Sequence, residues 1–116
     1  MRNIFRKFIL KQKLKRYNIE WIEITPLALK DYKEQVRKNW CEDNWFLERK
    51  LNRNFLMAIK SYEKQDIIHK DFGALRIIFS KEKNKIVGIC NHRGRAWQSH
   101  GIDKIEKDRL NKIYGI

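Results

Sequence analysis

Apolar residues recur every three or four positions through the first half of this chain, and then the pattern changes. That switch of period limits the possible folds more than any other feature. In "TPLALKDYKEQVRKNW", Leu29, Tyr32, Val36 and Trp40 mark one helical face. Thr25 stands where it accepts a backbone N–H as N-cap, and Pro26 sits where its missing N–H costs nothing. In "EDNWFLERKLNRNFLMAIKSY", Leu47, Leu51, Phe55, Ile59 and Tyr62 step by three or four, with Asp43 or Asn44 as cap. Trp40 and Trp45 read as core or edge residues of these helices rather than as stacking platforms. Beyond residue 66 the texture is β-branched. "ALRIIFS" and "KIVGICN" flank "KEKN", which predicts a hairpin carrying Arg76, Lys81, Lys83 and Lys85. Asp103 and Glu106 stand at capping-box spacing, so a short tail helix is expected from about Asp103, with Gly101 at the turn into it.

Charge sets the function classes. Lys and Arg number 27 against 14 Asp and Glu, a formal net charge of +13. A polyanionic partner is the first expectation from so large an excess. Residues 1–19 hold seven bases and no acid, residues 20–66 hold nine of each, and residues 67–116 hold eleven bases and five acids. The ends are therefore cationic arms on a neutral centre. One proline and five glycines mark no linker in 116 residues, so a single domain is expected. Its parts are a basic helical arm at 1–19, a helical core at 26–64, a hairpin at 66–90, and a loop with tail helix at 90–116. Cys41 and Cys90 permit one disulfide at most, which excludes a disulfide scaffold, and no apolar run approaches a membrane span.

The opening "MRNIFRKFILKQKLKRY" is uniformly basic. Ile4, Phe5, Phe8 and Ile9 share one side, and Leu10, Leu14 and Tyr17 continue the stripe. A targeting presequence, a membrane-surface helix and a helix laid along nucleic-acid backbone all suit it. Transit peptides are Ser-rich and no Ser precedes Ser61; the overall charge favours nucleic acid.

"GICNHRGRAWQSHGIDKI" concentrates the chemistry-bearing residues. As a zinc site, Cys90, His92 and His100 supply one close pair and a stray, and His69 or Cys41 would have to complete the set from afar. As a nucleophile, Cys90 has His92 two residues away and no Asn or Asp to orient it. No G-x-x-x-x-G-K or G-x-G-x-x-G occurs, and the carboxylates are scattered among bases. The stretch from Lys83 to Ile102 has four bases and no acid, with Gly94 between Arg93 and Arg95 and with Trp97 close by. Arginine forks, glycines and ring faces interleaved in a loop suit single-stranded or looped RNA. No motif that reads a duplex groove is present.

Three segments together resemble small-subunit ribosomal protein fourteen. Cys90, Gly94 and Arg95 fall on C-x-x-x-G-R; Gly101, Ile102, Lys104 and Ile105 resemble the family's F-G-L-S-R-I; and Trp45, Lys50 and Leu51 match its acidic-x-W-x4-K-L run. Arg93 replaces the family's Thr, Ala96 its Pro and Trp97 its second Gly, and residues 66–87 have no counterpart. The chain lacks the two C-x2-C pairs of zinc-binding members and is similar to the zinc-free type. The resemblance implies a mainly α fold with a small β-hairpin and an irregular basic C-terminal region, an extended rRNA-bound protein with a small core. It implies a non-catalytic structural constituent of the small ribosomal subunit, bound to the 3′ domain of rRNA in the head beside small-subunit proteins three, ten and nineteen. No metal, cofactor or membrane enters that reading.

Lys, Ile and Asn are abundant (17, 16 and 9) and Ala and Pro scarce (4 and 1), a usage that suits AT-rich coding. It points the resemblance to a mitochondrial, matrix-side ribosome, with an organelle-encoded chain. The expected RNA contacts are Arg2, Arg6, Lys7, Lys11, Lys13, Lys15 and Arg16 on the first helix. In the loop they are His92, Arg93, Gly94, Arg95, Trp97 and His100, and on the tail helix Lys104, Lys107, Arg109 and Lys112. The alternatives left open are another basic RNA-binding protein, a membrane-surface protein acting through residues 1–17, and a small metal-dependent nuclease or Cys-dependent hydrolase.

Overall fold

Two helix caps read from sequence are in place. Thr25 Oγ1 accepts the Ala28 N–H at 3.2 Å, and Asp43 Oδ1 accepts the Phe46 N–H at 2.7 Å. They open α2 (Pro26–Asp31) and α3 (Asn44–Met57). The computed structural model describes residues 2–36, 43–73, 75–91 and 103–116, without the side chains of residues 2, 3 and 36. The chain begins with α1 (Arg2–Lys15), passes through a two-residue strand β1 (Glu23–Ile24), and runs from α2 directly into a π-helical turn at Tyr32–Val36. After α3 come β2 (Ile59–Lys64), β3 (Ile67–Phe72), β4 (Leu75–Ser80) and β5 (Lys85–Asn91), and α4 (Lys104–Tyr114) closes the order. Asp103 caps α4 by accepting from the Ile105 and Glu106 N–H groups. Gly115, at φ 75°, ends it in the left-handed conformation that glycine adopts without a Cβ penalty.

The sheet has five strands in the order β1-β5-β4-β3-β2. Strands β2 to β5 form an antiparallel meander, and β1 joins β5 in parallel through Glu23↔Lys85 and Ile24↔Ile86. Gln65 and Asn84 take positive φ at the two turns of one sheet end, and Gly73 does so at the other. The two turns at the first end are bonded together. Asp66 accepts the Ser80 hydroxyl at 2.7 Å and the Glu82 N–H, and the Lys81 N–H reaches the Asp66 carbonyl at 2.8 Å. Strand β2 is exposed along its whole length and carries Lys60, Glu63 and Lys64, charges that discourage pairing at an open edge.

Two buried clusters make the core. In the first, Leu75, Ile77, Phe79, Ile86 and Ile89 of the sheet meet Ala28, Leu29 and Tyr32 and the α3 residues Leu47 and Leu51. In the second, Leu10 and Leu14 of α1 meet Trp21, Trp45 and the α4 residues Leu110, Ile113 and Tyr114. Helix α3 serves both clusters. Its Asn52 is buried between them and fully used: Oδ1 accepts the Ile22 N–H at 2.7 Å, and Nδ2 donates to the Ile22 and Glu48 carbonyls at 2.9 Å each.

The expected architecture is therefore corrected. The fold is an α+β one built on a mixed five-stranded sheet, not a mainly helical chain with a hairpin. Nor is it extended: its radius of gyration is 14.0 Å, against about 13.4 Å for a compact chain of this length. The helical reading of residues 58–64 fails because Ala58 turns extended, with φ −70° and ψ 153°, and ends α3. Ile59 and Tyr62 fit a helical spacing by coincidence; both lie on exposed β2. The supposed hairpin at 66–90 is three of the four meander strands, since β3 hides its pattern behind His69, Lys70 and Asp71. The helix expected from Pro26 to Trp40 is α only to Asp31, with the π turn after it; Trp40 lies outside the described residues.

Two outcomes follow. Asn52→Ala leaves both backbone groups of Ile22 without their partner and should lower unfolding free energy by about 2–4 kcal/mol, read by urea denaturation; a loss below about 1 kcal/mol would show that the amide is not the tie between Ile22 and α3. Burial pushes the Tyr114 phenol up to about 12, which favours its neutral form in the fold. Its contribution is whole below the ordinary tyrosine value of about 10 and is lost as pH rises through about 12. An ultraviolet titration should show one of the four tyrosines ionising late.

Candidate anionic-surface interface

The bases expected to bind divide into groups with different surroundings. On α1, Lys7 and Lys11 are tied down: both reach Glu23, at 2.6 Å and 3.5 Å. Burial alone would raise the Glu23 carboxyl, but Lys7 and then Lys11 outweigh it and hold it below the usual range. Lys13 donates to the Lys112 carbonyl at 3.3 Å and so joins α1 to α4. Arg6, Lys15 and Arg16 are exposed, and the side chain of Arg2 lies outside the described residues.

Between these bases α1 presents an apolar ridge to solvent. Leu10 and Leu14 point into the core, whereas Ile4 is 71% exposed, Phe5 74%, Phe8 61% and Ile9 64%. At about 100° per residue these four fall within one outward sector, with Lys11 at one border, Arg6 and Lys13 beyond the other, and Lys15 inside the sector farther along the helix. The stripe read as continuous in sequence is thus two stripes on opposite faces. A groove of about 330 Å³ continues the ridge, lined by Phe8, Ile9, Gln12, Lys13, Arg16 and Tyr17.

On α4, Arg109 is held by Glu106 through bonds of 2.6 and 3.0 Å, while Lys104 and Lys112 are exposed. Lys107 is half-buried on the other border of the buried stripe, facing α3. Burial, then the Arg53 and Lys50 charges, push its ammonium below the ordinary value. Arg49, Lys50 and Arg53 on α3 were missed by the sequence reading. Arg49 stacks over Trp45 at 5.1 Å and donates to the Gly115 carbonyl at 2.7 Å; Lys50 lies over the Tyr32 ring at 5.9 Å. Arg53 is buried. Nothing in a helical run of alternating bases and polar residues marks which one α4 will cover.

His92, Arg93, Gly94, Arg95, Trp97 and His100 lie outside the described residues, as does Cys41. Of the groups weighed for metal or nucleophilic chemistry, Cys90 and His69 are described. Cys90 is a free thiol, paired in register with Arg76. Burial raises its pKa, Arg76 opposes, and Asp71 and Asp31 add to the rise. Arg76 itself is engaged by Asp71 at 3.0 and 3.3 Å. His69 packs against Tyr62 on the same sheet face, ring centroids 4.9 Å apart. Among the described residues no three His, Cys, Asp or Glu are grouped to hold a metal ion.

A small basic α+β protein with a solvent-facing amphipathic helix is the class that this geometry defines. The YorE family model matches residues 22–113, from the segment before β1 to the last turn of α4, and the chain belongs to the YorE family, a phage-type family. Helix α1 lies before the matched span. No curated protein and no solved structure matches the chain. The family overturns the ribosomal resemblance and the small-subunit role drawn from it, and it does not point to a mitochondrion. Of the residues that carried the resemblance, three have local structural reasons to be there: Asp43 is a cap, and Trp45 and Leu51 are core.

A thiol raised in this way should be slow. With Cys41→Ser removing the other cysteine, Cys90 should alkylate with iodoacetamide at pH 8 at least about fivefold more slowly in the folded chain than in urea, in line with a smaller thiolate fraction. Equal rates would restore it as a candidate nucleophile.

Proposed function

We propose that this protein is non-catalytic and binds an anionic membrane surface through α1. The observation that carries the reading is the outward ridge of Ile4, Phe5, Phe8 and Ile9 on a helix whose other exposed positions include the bases Arg6 and Lys15. A phosphate backbone is a poor occupant for it, because methyl groups and ring edges would stand between the ammonium heads and the strand. A second copy is also a poor occupant, since pairing two α1 helices sets six bases against six. An anionic bilayer suits both parts: the ridge enters the acyl boundary while the bases stay among the headgroups.

The magnitudes require both parts. Full burial of a Phe or Ile side chain contributes about 1.5–3 kcal/mol, and each base near an anionic surface about 1 kcal/mol. Four partly inserted side chains or a handful of bases alone hold weakly; together they hold a small protein. The 14-residue helix lies on the surface rather than crossing it, as no helix among the described residues is long and apolar enough to span a bilayer. A second reading, nucleic-acid binding, is favoured by the acid-free stretch from Lys83 to Ile102.

Sedimentation with vesicles separates the two. The full chain should pellet with vesicles containing phosphatidylglycerol and not with pure phosphatidylcholine. The double variant Phe5→Ser/Phe8→Ser should weaken that binding at least about tenfold, with any affinity for a single-stranded oligonucleotide unchanged. Vesicle binding that ignores the two replacements, beside tight and steeply salt-dependent oligonucleotide binding, would replace the membrane reading with the nucleic-acid one.

A further inference from the structure

Arg53 presents a problem that its neighbours do not solve. It is 5% exposed, among the most enclosed charged groups in the fold. Its Nε and Nη2 donate to Asn54 Oδ1 at 3.2 and 2.7 Å, and its Nη1 donates to Asn111 Oδ1 at 2.7 Å. These are neutral amide oxygens. A guanidinium has five N–H groups, and here the other two have no partner among the described residues. No carboxylate pairs with it there either. Buried charges are ordinarily paired, because removing an ion from water without a counter-ion is expensive.

The surroundings add positive charge. Lys50, Arg53 and Asn54 share a face of α3 at spacings of three and four, and Lys107 and Asn111 share the facing side of α4. The Arg53–Asn111 bond locks those two faces together. Lys50 sits over Tyr32 beside them, and the Lys107 ammonium feels burial first, then Arg53 and Lys50, with Asp108 opposing them. Asp108, the neighbouring acid on α4, is exposed. Glu106 is engaged by Arg109. Of the residues outside the described set, Glu42 is the one acid.

We infer that α3 and α4 form a seat for a phosphate group, with the two remaining N–H groups of Arg53 at its base and Lys50 and Lys107 as the flanking cations. The chemistry is that of a phosphate monoester: a compact dianion with oxygens enough for a guanidinium fork and two ammonium groups. The seat stands on α3 and α4 alone and does not depend on the membrane reading of α1. Its source is either a soluble phosphate ester or a lipid headgroup.

The test uses the full chain in solution, with inorganic phosphate as the probe and sodium chloride at matched ionic strength as the reference. Phosphate should bind one per chain by calorimetry and raise the melting temperature above the chloride control. Lys107→Gln should weaken it at least about tenfold. That variant is preferred because Lys107 is half-buried, whereas Arg53→Gln risks the fold itself. Glu42→Gln should leave phosphate binding unchanged. Phosphatidic acid vesicles then distinguish the sources, on the Phe5→Ser/Phe8→Ser background so that α1 insertion does not contribute. Lys107-dependent binding to them marks a headgroup; Lys107-dependent binding of phosphate with none to these vesicles marks a soluble ester. A phosphate effect no larger than that of chloride, or one untouched by Lys107→Gln, overturns the seat. So does a Glu42→Gln variant that melts as low as Arg53→Gln, since Glu42 would then be the missing counter-ion.

Discussion

Asn52 holds Ile22 by both of its backbone groups, and the neighbours of Ile22 in sequence then have their destinations set. Trp21 enters the helical cluster, where its ring lies 5.7 Å from Trp45. Glu23 turns to α1 and meets Lys7 and Lys11. Ile24 enters the sheet cluster while its backbone pairs with Ile86. Four consecutive residues thus reach both cores, the N-terminal helix and the sheet edge. A side-chain amide suits this post because it mimics a strand: one acceptor and two donors, all used, in a place without water. Leucine of the same bulk would fill the space and leave both backbone groups of Ile22 unpaired.

The small acid count of this chain is spent on structure. Glu23 joins α1 to β1, Asp71 engages Arg76 across two strands, and Asp66 ties the turns at one sheet end. Glu63 accepts from both Lys60 and Lys81, whose hydrogen bonds and charges hold its carboxyl down at about 2. Exposed pairs of this kind add little stability individually. Their effect is on where the unneutralised charge is left. The sheet uses its acids locally, and much of the described excess falls on α1, on α4 and on the α3 face between them.

The helix caps at Thr25, Asp43 and Asp103 were legible because capping is a local matter of one side chain and the next turn. The β-branched runs that became β4 and β5 were legible for the same reason, and so was the core placement of Trp45. Strand β3 was not, because its alternation is carried by Lys70, whose ammonium covers the Phe55 ring at 4.2 Å and so takes an inward position that reads as polar. Strand β2 was not, because Ile59 and Tyr62 satisfy a helical spacing that nothing in the chain contradicts before Ala58 turns. The functional reading failed in another way. Short motifs of glycine, arginine and a tryptophan near an acid occur wherever basic loops and capped helices do, and order along the chain is weak support for ancestry.

Helix α1 shows what hydrophobic periodicity leaves undecided. Ile4, Phe5, Phe8, Ile9, Leu10 and Leu14 all satisfy three- and four-residue spacing, so the sequence reads as one broad stripe. A helix has one side for its own protein, and only Leu10 and Leu14 reach it, between Trp21 and α4. The rest are left outside because the packing of Leu10 and Leu14 fixes the rotation of the helix about its axis, and the Glu23 contacts to Lys7 and Lys11 lie on the flank of that face. Turning the ridge inward would break that pair of contacts and place bases against Trp21 and Leu110. The two lysines expected to grip a polyanion are engaged by Glu23 beside the buried face, and the surface available to a partner is what the packing of Leu10 and Leu14 leaves outward.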